Sequence, residues 1–414
     1  MRHAKGKLVD WQLQLIDQVI SALISYYCLT DSSTVDKIQR LEVKMIDCLN
    51  KYNASLHEDL LEKPISEDGY RAYLALINRE LEAFDSHCHL EYANAFLSTL
   101  EPDNVVKGSR SARFDLGPPP LHILQQMNEF RGTSEQNYGF SNSPPMGRSV
   151  PNDVGYLKIN YSLDPRLGEE EKDSKYRLGP NAVSAATSAL SELKNKRKIV
   201  IDLRNVEEGG SPEMIQYIVS FFIGKTAVVI NTVIDRLTDT RKIFASIETP
   251  FKLLDMPVDI LVDKTTFSAL EELAYDFQQM ATINNRFCVV GETTKGGAHP
   301  TFSFPLMNQS DKSINSDLIL WVPCQRSVNP ISGTNWEGVG VIPDVEVQPG
   351  QDALETSLSR YKKDQQYSGS MTKLLMRNNT LFCKLEDQYL ENHRHDHPRI
   401  QREYDKRFGL VPKL

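Results

Sequence analysis

Ser268 is the residue whose placement could do chemistry most directly. It follows the apolar run Pro257–Val262 and the short turn Asp263–Phe267, and it opens a stretch, Ala269–Met280, with helical spacing. A hydroxyl at a helix start faces backbone amides that have no partner inside the helix, where the dipole favours developing negative charge. That is suitable ground for nucleophilic attack on a carbonyl and for holding the resulting oxyanion. The same position also reads as an N-cap, with Glu271 three residues on completing a capping box.

Three glycine-rich turns could complete such a site. Asp202-Leu203-Arg204-Asn205-Val206-Glu207-Glu208 leads into Gly209-Gly210-Ser211-Pro212, whose adjacent glycines let the backbone come close to a substrate and aim an amide inward. Gly291-Glu292-Thr293-Thr294-Lys295-Gly296-Gly297-Ala298-His299-Pro300 is not a phosphate loop, because Gly297 stands where that motif needs lysine. It offers Lys295 and His299 as basic groups. Gly333-Thr334-Asn335-Trp336-Glu337-Gly338-Val339-Gly340-Val341-Ile342-Pro343-Asp344 is a glycine-punctuated loop carrying the carboxylate of Glu337. Each turn alone reads equally as an ordinary connection.

The elements that must position these residues follow from the patterning. Short β-branched runs alternate with helical stretches after Val154, with strands expected at Gly155–Tyr161, Lys198–Leu203, Ala227–Ile234, Pro257–Val262, Arg286–Gly291 and Leu318–Pro323. Helices are expected at Asn181–Leu193, Ser211–Gly224 and Ser268–Met280. Residues 1 to about 85 read as three amphipathic helices, the first with apolar positions Leu13, Ile16, Ile20, Leu23, Ile24 and Tyr27, the others over Val35–Tyr52 and Gly69–Phe84. His87–Leu97 has the alternation of a strand, which would put His87 and His89 on one face in a structural role. The expected organisation is a helical N-terminal domain with its strand over 1–100, a Gly/Pro/Ser-rich linker over 101–153, an α/β catalytic core over 154–350 and a polar helical extension over 351–414.

Composition narrows the classes. Hydrophobic content of 40% and charged content of 25% are those of an ordinary globular chain. A net charge of -8 gives no general attraction to nucleic acid, and no run reaches membrane-spanning length, so neither partner is expected. The apolar stretch near the N-terminus is interrupted by Asp10, Gln12, Gln14, Asp17 and Gln18 and reads as a core helix rather than a secretory signal, leaving cytosolic residence and export by another route both open. The six cysteines form no CxxC pair and read as free thiols; no metal or cofactor is expected. His393, His395 and His397 read as a solvated helix end.

The four chemistry-bearing segments, in this order, resemble the tail-specific (C-terminal-processing) peptidase family, in the branch of interphotoreceptor retinoid-binding protein and tricorn-like peptidases. The resemblance runs from about Val154 to Val347 and rests on Thr266-Phe267-Ser268-Ala269-Leu270-Glu271-Glu272, the Val290–Pro300 loop and Asn329–Asp344. It implies an α/β fold of the ClpP/crotonase type, a stack of ββα units, with Ser268 attacking a peptide carbonyl and the amides of Ala269 and Gly209 or Gly210 holding the oxyanion. Peptides or unfolded protein termini are the implied substrates. Processing members carry a PDZ domain and a lysine base in a Gly-Lys-Gly ending, where this chain has Gly296-Gly297-Ala298. Tricorn-like members place a histidine in the strand matching Gly155–Ile159, where this chain has Lys158, and a glutamate matching Glu337. Lys158 serves as base only if burial lowers its pKa toward neutrality; His299 is the other candidate. The link Val206-Glu207-Glu208 is one residue longer than in relatives. These departures keep a second reading open, a peptidase-like scaffold that binds a hydrophobic ligand or protein partner.

Overall fold

The computed structural model describes residues 2–29, 31–55, 67–92, 139–160, 182–206, 209–224, 227–236, 238–307, 314–348 and 350–367. The chain is an α/β protein divided into two compact units. The described residues of the first fall within Met1–Pro120, Asp235–Thr240 and His299–Arg326, and those of the second within Leu121–Ile234, Arg241–Ala298 and Ser327–Leu414.

In the first unit, helices α1 (Arg2–Tyr26), α2 (Ser32–Ser55) and α3 (Glu67–Phe84) meet a three-stranded antiparallel sheet of β1 (His89–Tyr92), β9 (Thr301–Met307) and β10 (Ile314–Pro323), in the order β1-β10-β9. The helices bury one stripe each: Ile16, Val19, Ile20 and Leu23 on α1, Leu41, Met45 and Leu49 on α2, Tyr73, Ile77 and Leu81 on α3. Leu13 and Ile24, expected in that stripe, are exposed, because the buried face of α1 is rotated toward Leu15 and Val19. The strand expected from His87 begins only at His89. His87 lies in the preceding turn, where the backbone N–H of His87 donates to Asp85 Oδ1 at 3.0 Å, so His87 and His89 do not share a strand face.

The second unit is built on a six-stranded sheet in the order β12-β8-β7-β4-β3-β2, formed by β2 (Phe140–Ser141), β3 (Val154–Ile159), β4 (Lys198–Asp202), β7 (Val258–Val262), β8 (Phe287–Gly291) and β12 (Val345–Glu346). All pairs are parallel except the edge pair β2 and β3. β4 is buried along its whole length, as a central parallel strand must be when both faces are covered. Ile199 and Ile201 point into the larger core with helices α4 (Ala182–Ser191), α5 (Pro212–Ser220) and α6 (Ala269–Ala281). Val200 points the other way, into a smaller core closed by Ala353, Leu354 and Tyr361 of α7 (Ala353–Tyr367). A further sheet orders β11 (Gln325–Val328), β5 (Val229–Asp235) and β6 (Thr240–Ala245).

The helix and strand assignments of the core agree with the sequence expectation to within a few residues, whereas β2, β6, β9, β11 and β12 had no counterpart in it. No described helix is long and apolar enough to cross a membrane. Cys28, Cys48, Cys88, Cys288 and Cys324 are free thiols. Cys383, the histidines at 393, 395 and 397, the Glu207-Glu208 link and most of the expected 101–153 linker and 351–414 extension lie outside the described residues.

Candidate active site

Parallel strands deliver their following turns to one edge of a sheet, where ligands of such sheets collect. β4 and β7 are neighbours, so the turn after Asp202 and the turn after Val262 come together. Asp263 organises both. Its Oδ1 accepts from the N–H and hydroxyl of Thr265 (2.9 and 2.7 Å) and from the N–H of Thr266 (3.1 Å), while Oδ2 accepts from the N–H of Asn205 at 2.8 Å. Thr265 Oγ1 also accepts from the N–H of Val206 (3.2 Å), and Thr266 Oγ1 donates to the Leu203 carbonyl (3.0 Å). A single carboxylate and two hydroxyls thus pin the glycine turn to the serine turn.

Ser268 precedes α6 with φ 56° and ψ -123°, a conformation sparsely populated by residues with a Cβ, which costs on the order of 1–3 kcal/mol unless surrounding structure holds it. Ser211, at the start of α5, shows the ordinary alternative. It has φ -95° and ψ 128°, and its hydroxyl accepts from the N–H of Glu213 at 3.2 Å. Both serines cap helices by position, and only Ser268 is held in a strained turn. Gly209 lies directly against it: a Cβ at Gly209 would come within 2.3 Å of Ser268 Cβ, 2.5 Å of the Ala269 nitrogen and 2.8 Å of Ser268 Oγ. Gly210 follows at φ 114°, open to glycine and strained for other residues. Four of the expected residues, Gly209, Gly210, Ser268 and Ala269, are therefore brought together by these two turns.

The strained turn has a support that the sequence disclosed only as a capping partner. Glu271 is fully buried, and its carboxylate accepts four hydrogen bonds. Oε2 takes the N–H of Ser268 (2.8 Å) and of Gly297 (2.8 Å); Oε1 takes the hydroxyl of Thr294 (2.5 Å) and the N–H of Gly296 (2.6 Å). Burial pushes its pKa up, against the four donors. The glycine loop after β8 is held from its other side by the Trp336–Val341 segment. Trp336 Nε1 donates to the Gly297 carbonyl (2.8 Å), the N–H of Gly338 to the Gly296 carbonyl (3.0 Å), and the N–H of Val341 to Thr294 Oγ1 (2.7 Å). Glu337 Oε2 accepts from the N–H of Ala298 at 2.6 Å, so this carboxylate secures the end of the glycine loop.

The candidate bases are placed differently. Lys158, opposite Asp202 in the β3–β4 register, is partly buried, and its ammonium donates to the carbonyls of Asp202 and Arg204. Burial lowers its pKa, the direction a base requires, but neither of its hydrogen bonds goes to Ser268. His299 belongs to the first unit, where Nδ1 lies 2.7 Å from Asp85 Oδ2 with both side chains buried. Tyr27 donates its hydroxyl to the same oxygen at 2.9 Å. Burial alone would raise the Asp85 pKa; the hydrogen bond and charge of His299, with the charge and N–H of His87, hold it below the ordinary carboxylate value. A buried aspartate beside Nδ1 orients the imidazole ring. Asp85 and His299 are 214 residues apart, so no local pattern could reveal this pair.

Residues 153–347 match peptidase family S41. Among solved structures, a mutant of CPAF is similar with a TM-score of 0.51 and 12% identity, covering 91% of this chain and 97% of that one. A lipoprotein from Streptococcus agalactiae aligns at 13% identity over 85% of this chain and 96% of that one, with a TM-score of 0.46. The photosystem II D1 C-terminal processing protease aligns at 15% identity over 84% and 96% of the two chains, with a TM-score of 0.40. At 12% identity the likeness to the CPAF mutant is one of fold.

Proposed function

Because its core, residues 153–347, belongs to peptidase family S41, we propose that this protein is a serine peptidase with Ser268 as nucleophile. The observation that carries this reading is the strained Ser268 turn, with Gly209 packed against both the hydroxyl and the Ala269 nitrogen. In the proposed reaction Ser268 Oγ attacks the scissile carbonyl carbon and its proton passes to a base. The carbonyl oxygen becomes an oxyanion, received by the N–H groups of Ala269 and Gly209. Collapse breaks the C–N bond, the departing amine takes the proton from the base, and water then hydrolyses the acyl-serine. Glu337 acts by securing the loop that ends at Ala298.

For the base, Lys158 and His299 are the two candidates. The Lys158 ammonium donates to two carbonyls, which favours its charged form, and it must lose a proton before its nitrogen can act as a base. The His299 ring has a buried carboxylate beside Nδ1. Labelling with a fluorophosphonate probe tests the whole assignment, since it needs an activated hydroxyl and no known substrate. Wild type is expected to label, and Ser268→Ala not at all. Lys158→Met and His299→Ala identify the base: the variant that removes it is expected to slow labelling by at least about a hundredfold, in the range that general-base catalysis contributes, and the other to label near the wild-type rate. A folded wild type that resists the probe and cleaves no peptide in a broad library would move the protein to the second reading, a scaffold that binds a hydrophobic ligand or protein partner.

A further inference from the structure

Glu271 is the one charged group hydrogen-bonded to the backbone of the proposed nucleophile among the described residues of α6, yet the reaction above gives it no part. Its four partners are all donors: three backbone N–H groups and the Thr294 hydroxyl. The Thr294 hydroxyl donates to Glu271, while its oxygen accepts the N–H of Val341. A site presenting four donors to one buried side chain suits an ionised carboxylate, which has acceptors only. A glutamine of the same shape would turn an NH2 toward two of those donors.

We infer that Glu271 is a positioning residue for catalysis: its carboxylate holds Ser268 in the strained turn and fixes the Thr294–Gly297 loop beside it. The geometry also explains how a strained conformation persists. The Ser268 N–H, which an ordinary N-cap would leave to solvent, is bound to a carboxylate whose other contacts fix its position. Removing that carboxylate frees the turn to relax toward the extended backbone seen at Ser211, moving Oγ away from the Ala269 and Gly209 amides. Displacements of about an ångström at a reacting atom cost on the order of a hundredfold in rate.

This inference rests on the Ser268 reading, and the experiment separates the two. Full-length wild type, Glu271→Gln and Thr294→Val are titrated with a fluorophosphonate, and the saturating rate of labelling is read apart from the half-saturating concentration. Glu271→Gln is expected to lower the saturating rate by at least about a hundredfold and Thr294→Val by about tenfold, with the half-saturating concentration unchanged in both. A merely structural role would instead reduce the fraction of protein that labels and leave the rate of that fraction alone. If Glu271→Gln does not fold, by circular dichroism, Thr294→Val decides, because it removes one donor and leaves the charge in place. Folded variants that label at the wild-type rate would overturn the inference while leaving the Ser268 reading intact. A wild type that does not label at all would overturn both.

Discussion

At the scale of single residues, the site depends on what is missing as much as on what is present. Gly209 has no side chain, and that is what admits Ser268 and the Ala269 amide to the same small volume. Gly209→Ala is expected to reduce labelling and peptide cleavage by about a hundredfold or more and to cost about 1–3 kcal/mol in stability, because the new methyl overlaps backbone as well as side-chain atoms. Activity assays with urea denaturation check both parts. Wild-type activity in this variant would overturn the placing of Gly209 at the oxyanion position. Ser268 and Ser211 make the complementary point. Both were legible as helix starts, but a serine in a strained turn and a serine in an ordinary cap look alike in sequence, since φ and ψ are set by the surroundings.

At the scale of elements, α7 is docked on the sheet by a buried polar network as well as by apolar contact. Lys198 on β4 donates to Asp259 on β7 at 2.6 Å, and the hydroxyl of Ser357 on α7 donates to the same carboxylate oxygen at 2.7 Å. The Lys198 and Asp259 side chains are only 4% and 6% exposed. Lys198→Met is expected to destabilise the protein by about 3–5 kcal/mol, because it leaves a buried carboxylate with only the Ser357 hydroxyl and, at 3.9 Å, the Arg360 guanidinium. Pairing it with Asp259→Leu is expected to recover most of that loss, a difference that equilibrium unfolding of the two variants measures. The strands carrying these residues were evident as β-branched runs. Their polar partners across the sheet were not, since Lys198 and Asp259 are joined by strand order rather than by spacing.

At the scale of the whole molecule, stability should depend on pH through a buried acidic pair on α6. Burial, reinforced by the nearby Glu213 charge and opposed by Asn231, pushes Glu272 up to about 8. Asp276, one turn on, is also raised, by burial and by Glu272, against a hydrogen bond from Asn329. A carboxyl whose folded pKa lies above its unfolded value favours the folded state while protonated. Its contribution is therefore fully present below the ordinary value of 4.5 and is lost as pH rises to about 8. Asp85 acts in the opposite sense: its lowered pKa supports the fold above the ordinary value of 3.8, and that support is lost on acidification. The thermal midpoint of wild type relative to Glu272→Gln is expected to fall as pH is raised from 4.5 to about 8. A difference that stays flat across that range would show that Glu272 is ionised throughout.

Much was determined by the chain's own pattern. The α/β class, the three leading helices, the main parallel strands and the serine at the head of α6 all follow from apolar periodicity and turn chemistry, which are local properties. The tertiary structure decided the rest. It joined Asp85 to His299, gave Glu271 four donors drawn from its own helix start and from a loop more than twenty residues away, and turned Lys158 toward carbonyls rather than toward Ser268. Those pairings depend on strand order and loop docking, and hydrogen bonds between residues far apart in the chain leave no mark on the residues beside them.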